Sequence, residues 1–291
     1  MAKLTANDIK TNVTNAIIAQ LEDSTSLGAW SCPWNRAGLG GMPTRSNGEY
    51  YKGVNVIILM MAGFGNPNWM TYKQAEALGG QVRKGEKGTM IVFYKPLTIK
   101  DKATGDEKRI PMLKTYNVFN ADQIDNLPAK FHPAPATKVE GKQRIAHVDD
   151  FVVNTAATIN VAGQSAFYRP ATDEITMPDF DLFHTTEDYY STELHELVHW
   201  TKAKARCDRD LGRDQTGYAK EELVAELGSA FLMAMLGLES QPRQDHAQYL
   251  ASWLNVLKAD NDAIFKAASK ASAAAQYLQD LQVTDAAKIA A

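Results

Sequence analysis

The 291-residue chain is poor in cysteine. It holds two, Cys32 and Cys207, far apart in sequence. They form neither a C-x-x-C knuckle nor a disulfide framework, which excludes a stapled secreted scaffold and fits reduced thiols in a reducing compartment. Long apolar runs are also missing. The longest, Val54 to Phe64, is interrupted by Asn55 and Gly63 and falls short of the ~18 residues of a membrane span. The N-terminus lacks the apolar core of a signal peptide; Thr5-Ala6-Asn7-Asp8 instead has the form of a helix-capping box, with Ile9, Val13, Ile17 and Leu21 following at helical spacing. These absences predict a cytoplasmic protein with no membrane partner. Repeats and low-complexity tracts are absent too, apart from an alanine-rich final helix.

A strong excess of either charge is lacking, since the net charge is −3. The total conceals an asymmetry. Residues 1–130 carry 16 Lys and Arg against 11 Asp and Glu, whereas residues 131–291 carry 15 against 23. A basic half joined to an acidic half points the first toward a polyanion.

The proline-rich stretch Leu127 to Pro135 breaks every periodic pattern. It predicts a first domain over residues 1–127, a linker over 128–141 and a second domain over 142–291. The first reads as a mixed α+β module. Val54–Ala62 is a helix or a strand, undecided by length. A short helix over Thr71–Leu78 is capped by Thr71 and stopped by Gly79-Gly80, and strands at Thr89–Tyr94 and Ile110–Phe119 form a hairpin whose turn holds Asp101 and Gly105-Asp106. The second domain reads as mostly helical. Helices are expected near 143–158, 185–203, 220–236, 244–258 and 262–281, with a β-hairpin at 165–168 and 174–177. The fold class expected is α+β in two domains.

Within the second half stands His195-Glu196-Leu197-Val198-His199, an H-E-x-x-H motif. Two imidazoles four residues apart share one helix face and can grip one Zn²⁺. Glu196 is then placed as general base toward a metal-activated water, the arrangement of metallopeptidases. A third ligand is expected. Glu222 and Glu226 lie four apart on the next helix, beside an apolar stripe of Leu223, Leu227, Ala230 and Phe231. Glu222 reads as the third ligand, and Glu226 as the acceptor for the outer N–H of a ligand histidine. Glu221 is expected to point about 100° away. Tyr218 is a candidate for steadying an oxyanion, with Tyr189 and Tyr190 as alternatives. The hairpin at 165–177 offers an edge for an extended peptide. His132, His147, His184 and His246 read as surface or structurally satisfied residues. An imidazole-rich site argues against a Mg²⁺-dependent nuclease, and Mn²⁺ or Co²⁺ could replace Zn²⁺.

The metal pattern resembles that of gluzincin peptidases, in which a ligand Glu is followed four residues later by an acidic residue. Glu226 departs from the commoner Asp at that position.

In the first half, nine Lys and Arg against four acids fall between Arg83 and Lys114, and residues 1–130 hold eleven aromatics. Cationic surfaces with stacking rings hold single-stranded nucleic acid without reading sequence. Arg83, Lys84 and Lys87, in a glycine-rich loop expected to be mobile, suit phosphates; Trp34, Tyr51, Lys52 and Lys73 complete the candidate DNA contacts.

Several motifs together resemble ArdC-type antirestriction proteins. They are Trp30-x-x-Pro33-Trp34, Tyr51-Lys52-Gly53-Val54-Asn55, Trp69 to Gln74, Gly79 to Glu86, Tyr168-x-Pro170-x-x-Asp173-x-Ile175-x-Met177-Pro178, His195 to Thr201 and Tyr218 to Glu226. The resemblance covers nearly the whole chain. It implies a plasmid-encoded protein that binds single-stranded DNA (possible contacts with duplex included), protects incoming conjugative DNA from host restriction, and carries a C-terminal metallopeptidase domain. The competing expectation is a DNA-recruited zinc protease whose main role is to cleave a host protein.

Overall fold

Thr5 sets the start of the first helix: its Oγ1 accepts from the Asp8 amide at 3.1 Å, and Asp8 Oδ2 accepts from the Thr5 amide at 2.8 Å. In the computed structural model, which describes residues 5–26, 41–100, 107–133, 141–212, 214–238 and 246–282, this helix is α1 (Ala6–Ser26). Cys32 and Trp34, the hairpin turn at 101–106 and residues 134–140 of the expected linker lie outside the described residues. Among the described residues no helix is long and apolar enough to cross a membrane.

The apolar run at Val54, which periodicity alone leaves open, is a helix, α2 (Val54–Met61), with buried side chains on nearly every side. A run apolar all round has no period to read. It follows β1 (Thr44–Arg45) and precedes β2 (Asn68–Met70) and α3 (Tyr72–Ala77). Thr71 caps α3 through a reciprocal box with Gln74, as its sequence predicts. Then come β3 (Gln81–Val82), β4 (Thr89–Lys100), β5 (Glu107–Asn120) and β6 (Ile124–Asp125). One sheet has the order β1-β2-β5-β4, and β3 pairs with β6. The β4–β5 hairpin is longer than its alternation predicts, running from Thr89↔Val118 to Lys100↔Glu107.

The second half contains α4 (Ala146–Asn154), β7 (Thr158–Val161), β8 (Phe167–Arg169), β9 (Glu174–Met177), α5 (Thr186–Trp200), α6 (Gln215–Met235), α7 (His246–Ala259) and α8 (Ala263–Asp280). The architecture is α+β. Two expectations need correction. The helix near 143–158 is shorter, because Ile145 is extended and the chain turns at Thr155 to form β7, a strand that pairs parallel with β9. The helix expected from Lys220 starts at Gln215, because Asp214 caps it by accepting from the Gly217 amide at 2.8 Å.

The two halves share one hydrophobic core that takes side chains from α1, α2 and the C-terminal helices. Thr14 Oγ1 donates to Asn261 O, Lys258 pairs with Glu22 at 2.7 Å, and the Gly53 amide donates to Ser272 Oγ at 2.8 Å. Ala267, Ala268, Ala271, Ala274 and Ala275 give α8 a smooth buried face, along which α6 packs. A smaller core lies under α3, β3 and β6, built on Met70, Val82, Ile124 and Phe131.

Candidate metal centre

Thr185 caps α5 by accepting from the Asp188 amide at 3.0 Å, and Glu187 and Asp188 complement the positive end of the helix. Three turns on, His195 and His199 stand edge to face on one side of the helix, with ring centroids 4.7 Å apart. Their Nε2 atoms stand 3.1 Å apart. The facing helix α6 approaches closely because Gly228 has no side chain; a Cβ there would lie 2.7 Å from Val198 Cγ2. That approach places Glu222 Oε2 3.4 Å from His195 Nε2 and Glu222 Oε1 3.4 Å from His199 Nε2. His195, His199 and Glu222 form the one group among the described residues whose ligand atoms could share a metal, all within 4.8 Å of one another and all buried.

The donor set fits a divalent cation. His199 Nδ1 donates to Glu221 Oε1 at 3.1 Å, so in the neutral ring Nε2 carries the lone pair. It points at the second imidazole nitrogen rather than at a donor of its own. Two imidazoles bound at ~2.0–2.1 Å to a tetrahedral metal stand about 3.3 Å apart. His195 Nδ1 is buried without a hydrogen-bond partner, and Glu226 Oε2 lies 3.8 Å from it. That separation exceeds a hydrogen bond, so the acceptor role expected of Glu226 is not formed at this distance.

Glu221 corrects its expected orientation. Instead of pointing away, it is buried beneath the metal face and gripped by Arg209, whose Nε and Nη2 each donate to it at 2.8 Å. Arg209 also donates to Val198 O at 2.8 Å and Thr201 Oγ1 at 3.1 Å, tying the loop after α5 to both helices. Burial raises the Glu221 carboxyl, but Arg209 and His199 override it and hold the group at about 2. Burial likewise opposes ionisation of Glu222, yet hydrogen bonds and charge from His195 and His199 hold it well below the carboxylate range. His199 is buried, which disfavours its charged form, but hydrogen bonds with Glu221 and Glu222 push it up to about 9.

Glu196 and Tyr218 line the cavity at this centre, together with Ala166, Phe167, Tyr168 and Lys202. Tyr218 is half-exposed on the first turn of α6. Tyr189 and Tyr190 are buried elsewhere: Tyr189 donates to Glu193 at 2.9 Å and Tyr190 to Asp149 at 2.7 Å, which removes both as alternatives to Tyr218. β8 forms one edge of the sheet β7-β9-β8 and borders the cavity. Its hairpin is anchored by Arg206, which binds Asp173 and stacks 3.9 Å over Trp200 at the end of α5. Asp173 takes the left-handed turn with φ +57°. Of the other histidines, His132 and His184 are exposed, and His147 bonds Leu236 O.

The candidate DNA contacts separate. Trp34 lies outside the described residues. Tyr51 is buried at 5% exposure under Arg45, so its ring cannot stack on a base; that expectation is corrected. Arg83 is held by Glu86 at 3.0 Å, Asp125 at 3.4 Å and Asp122 O, so its charge is already matched. The loop is pinned rather than mobile, because Gln123 Nε2 donates to both Glu86 Oε2 and Lys87 O. Lys73, Lys84 and Lys87 are exposed, and Lys52 is exposed with its Nζ 3.1 Å from Gln276 Oε1. Sequence reading passed over Phe93 and Tyr116, two exposed rings on the β4–β5 hairpin. Their adjacency depends on a pairing register invisible in local spacing.

Comparison with known proteins accords with this site. Residues 146–270 match a family model described as a zincin-like metallopeptidase, and residues 7–119 match the N-terminal domain of anti-restriction factor ArdC. The metal-free crystal structure of antirestriction protein ArdC from the R388 plasmid is 43% identical with a TM-score of 0.81, over 94% of this chain and 98% of that one. The Mn(II)-bound structure of that protein is 40% identical with a TM-score of 0.78, over 96% and 99%. Protein y4eC of Sinorhizobium fredii is 39% identical over 96% of this chain and 94% of its own. Two Escherichia coli proteins named DNA primase TraC are each 39% identical over 91% and 89% of this chain, which spans only 19% and 26% of their length. A zincin-like domain implies a bound metal ion, and the chain belongs to the ArdC antirestriction family.

Proposed function

We propose that the chain binds single-stranded DNA through its N-terminal half and thereby shields entering plasmid DNA from host restriction enzymes, while its C-terminal half carries a hydrolytic metal centre. Membership of an antirestriction family carries the first part of this reading. The convergence of His195 Nε2, His199 Nε2 and Glu222 beside Glu196 carries the second. Zn²⁺ is the metal favoured by a two-imidazole, one-carboxylate set, with Mn²⁺ and Co²⁺ as chemical substitutes.

When bound, such a metal acidifies a water and polarises a carbonyl. The chain's own residues do the rest. His195 and His199 present neutral nitrogens, and Glu221 with Arg209 keeps His199 in the required tautomer. Glu196 accepts a proton from water and returns it to a leaving amine. Tyr218 donates a hydrogen bond from its hydroxyl to developing negative charge on the scissile oxygen. The edge of β8 offers backbone groups to an extended peptide, which supports a second reading: a DNA-recruited protease acting on a host protein.

The test of the leading reading is protection in a purified system. The protein should bind labelled single-stranded oligonucleotide and shield it from cleavage, with and without a chelator. Failure to bind, or full cleavage of bound DNA, refutes it.

A further inference from the structure

We infer that the β4–β5 ribbon is the base-stacking platform of this protein, and that Phe93 and Tyr116 hold unstacked bases of single-stranded DNA with Lys114 beside them. The inference rests on the proposed DNA-binding function and deepens it by locating the contact.

The register places these side chains together. Phe93 pairs with Lys114 and Ile91 with Tyr116, so alternation puts all four on one face of the ribbon. That face leaves the core gradually: Val118 is buried, Ile91 half-buried, and Phe93 and Tyr116 are each 46% exposed. The two rings sit edge to face with centroids 5.9 Å apart. Tyr94, at 60% exposure, presents a third ring on the opposite face. Large half-exposed rings grouped on one element mark a contact surface rather than a packing remnant.

Charge selects the partner. The two strands carry Lys95, Lys100, Lys108, Arg109 and Lys114 against Glu107, a net of +4. Around the 80–88 loop, by contrast, Glu86 and Asp125 neutralise Arg83. The ribbon therefore joins cationic charge to stacking rings, the combination that holds single strands without sequence preference.

The ribbon is also preorganised for a ligand and unsuited to strand addition. Asn55 clamps the outer edge of β4: Val92 N donates to its Oδ1 at 2.8 Å, and its Nδ2 donates to Val92 O at 2.7 Å. Since the backbone N–H and C=O of Val92 point away from β5, the backbone of Pro96 four residues on does so as well, and its pairing with Pro111 makes that backbone position point away from β4. Each edge thus lacks a donor where another chain would pair.

The experiment measures anisotropy of a labelled oligothymidylate with the full chain. Phe93→Ala with Tyr116→Ala should weaken binding by on the order of tenfold per ring while leaving its salt dependence unchanged. Tyr116→Phe should keep wild-type affinity. Lys114→Ala should lower the salt slope by about one. Both rings are half-exposed, so unchanged thermal melting checks that the variants fold. If the wild type binds and the double variant binds equally well, the ribbon is not the platform. Unchanged DNA affinity with altered self-association would make the ribbon a protein interface and overturn the inference. If the wild type does not bind oligothymidylate at all, the DNA-binding reading itself fails.

Discussion

Glu221 and His199 meet at 3.1 Å beneath the metal face, and Arg209 closes the contact from the other side with two bonds of 2.8 Å. A buried carboxylate is stable there only because a guanidinium matches it. Arg209→Met should therefore lower unfolding free energy by about 3–5 kcal/mol, the cost of leaving a buried charge unpaired. Adding Glu221→Gln should recover part of that loss. Chemical denaturation checks both, and additive losses in the double variant would deny the coupling.

Glu221→Gln alone leaves the buried Arg209 guanidinium without its carboxylate, so it should destabilise the fold as well as weaken the metal site. Replacing the charged carboxylate that orients His199 by a neutral amide with a single acceptor oxygen should weaken metal affinity by about 10–100-fold. Competition with a chromophoric chelator measures this, and unchanged affinity would make Glu221 a purely structural residue.

Metal uptake should depend on pH with a defined sign. His199 is held up to about 9, and a metal must displace its proton. Affinity should therefore climb about tenfold per pH unit below 9 and level off above it. In the metal-free protein the same raised value, against an ordinary 6.5, contributes stability that is full below about 6.5 and is lost as pH rises through about 9. Calorimetric titration across this window checks the first statement, and a flat affinity contradicts it.

Gly228 should tolerate no side chain. A Cβ 2.7 Å from Val198 Cγ2 would force α5 and α6 apart, so Gly228→Ala should cost about 1–3 kcal/mol and weaken metal binding. Val198→Ala in the same chain should restore much of both losses. No rescue would place the strain elsewhere.

The basic loop should divide by residue. Arg83→Ala should leave the salt slope of DNA binding unchanged, since its charge is matched by Glu86 and Asp125. Lys84→Ala and Lys87→Ala, both at exposed positions, should each lower it by about one. Salt titration of anisotropy separates the three.

The metal face was legible because its information is local. Four-residue spacing puts His195 over His199, and Glu222 follows on a helix whose apolar stripe must pack on theirs. What escaped was set by distant geometry. Glu221 reads as turned away on an isolated helix, yet the close crossing permitted by Gly228 and the loop carrying Arg209 bring it to His199. Tyr51 and Phe93 look alike in composition, but one is buried under Arg45 and the other emerges along the ribbon. The Val54 helix was undecidable because an element buried on nearly all sides shows no period.

The most direct test of the whole account is conjugative transfer of a plasmid into a restricting recipient, with Glu196→Ala in place of the wild type. Metal content and single-stranded DNA affinity of the purified variant are confirmed beforehand. The account predicts transfer protected at the wild-type level, because DNA coating needs no general base. Transfer falling to the level seen without the protein, while both binding activities persist, would contradict it and make proteolysis the protecting activity.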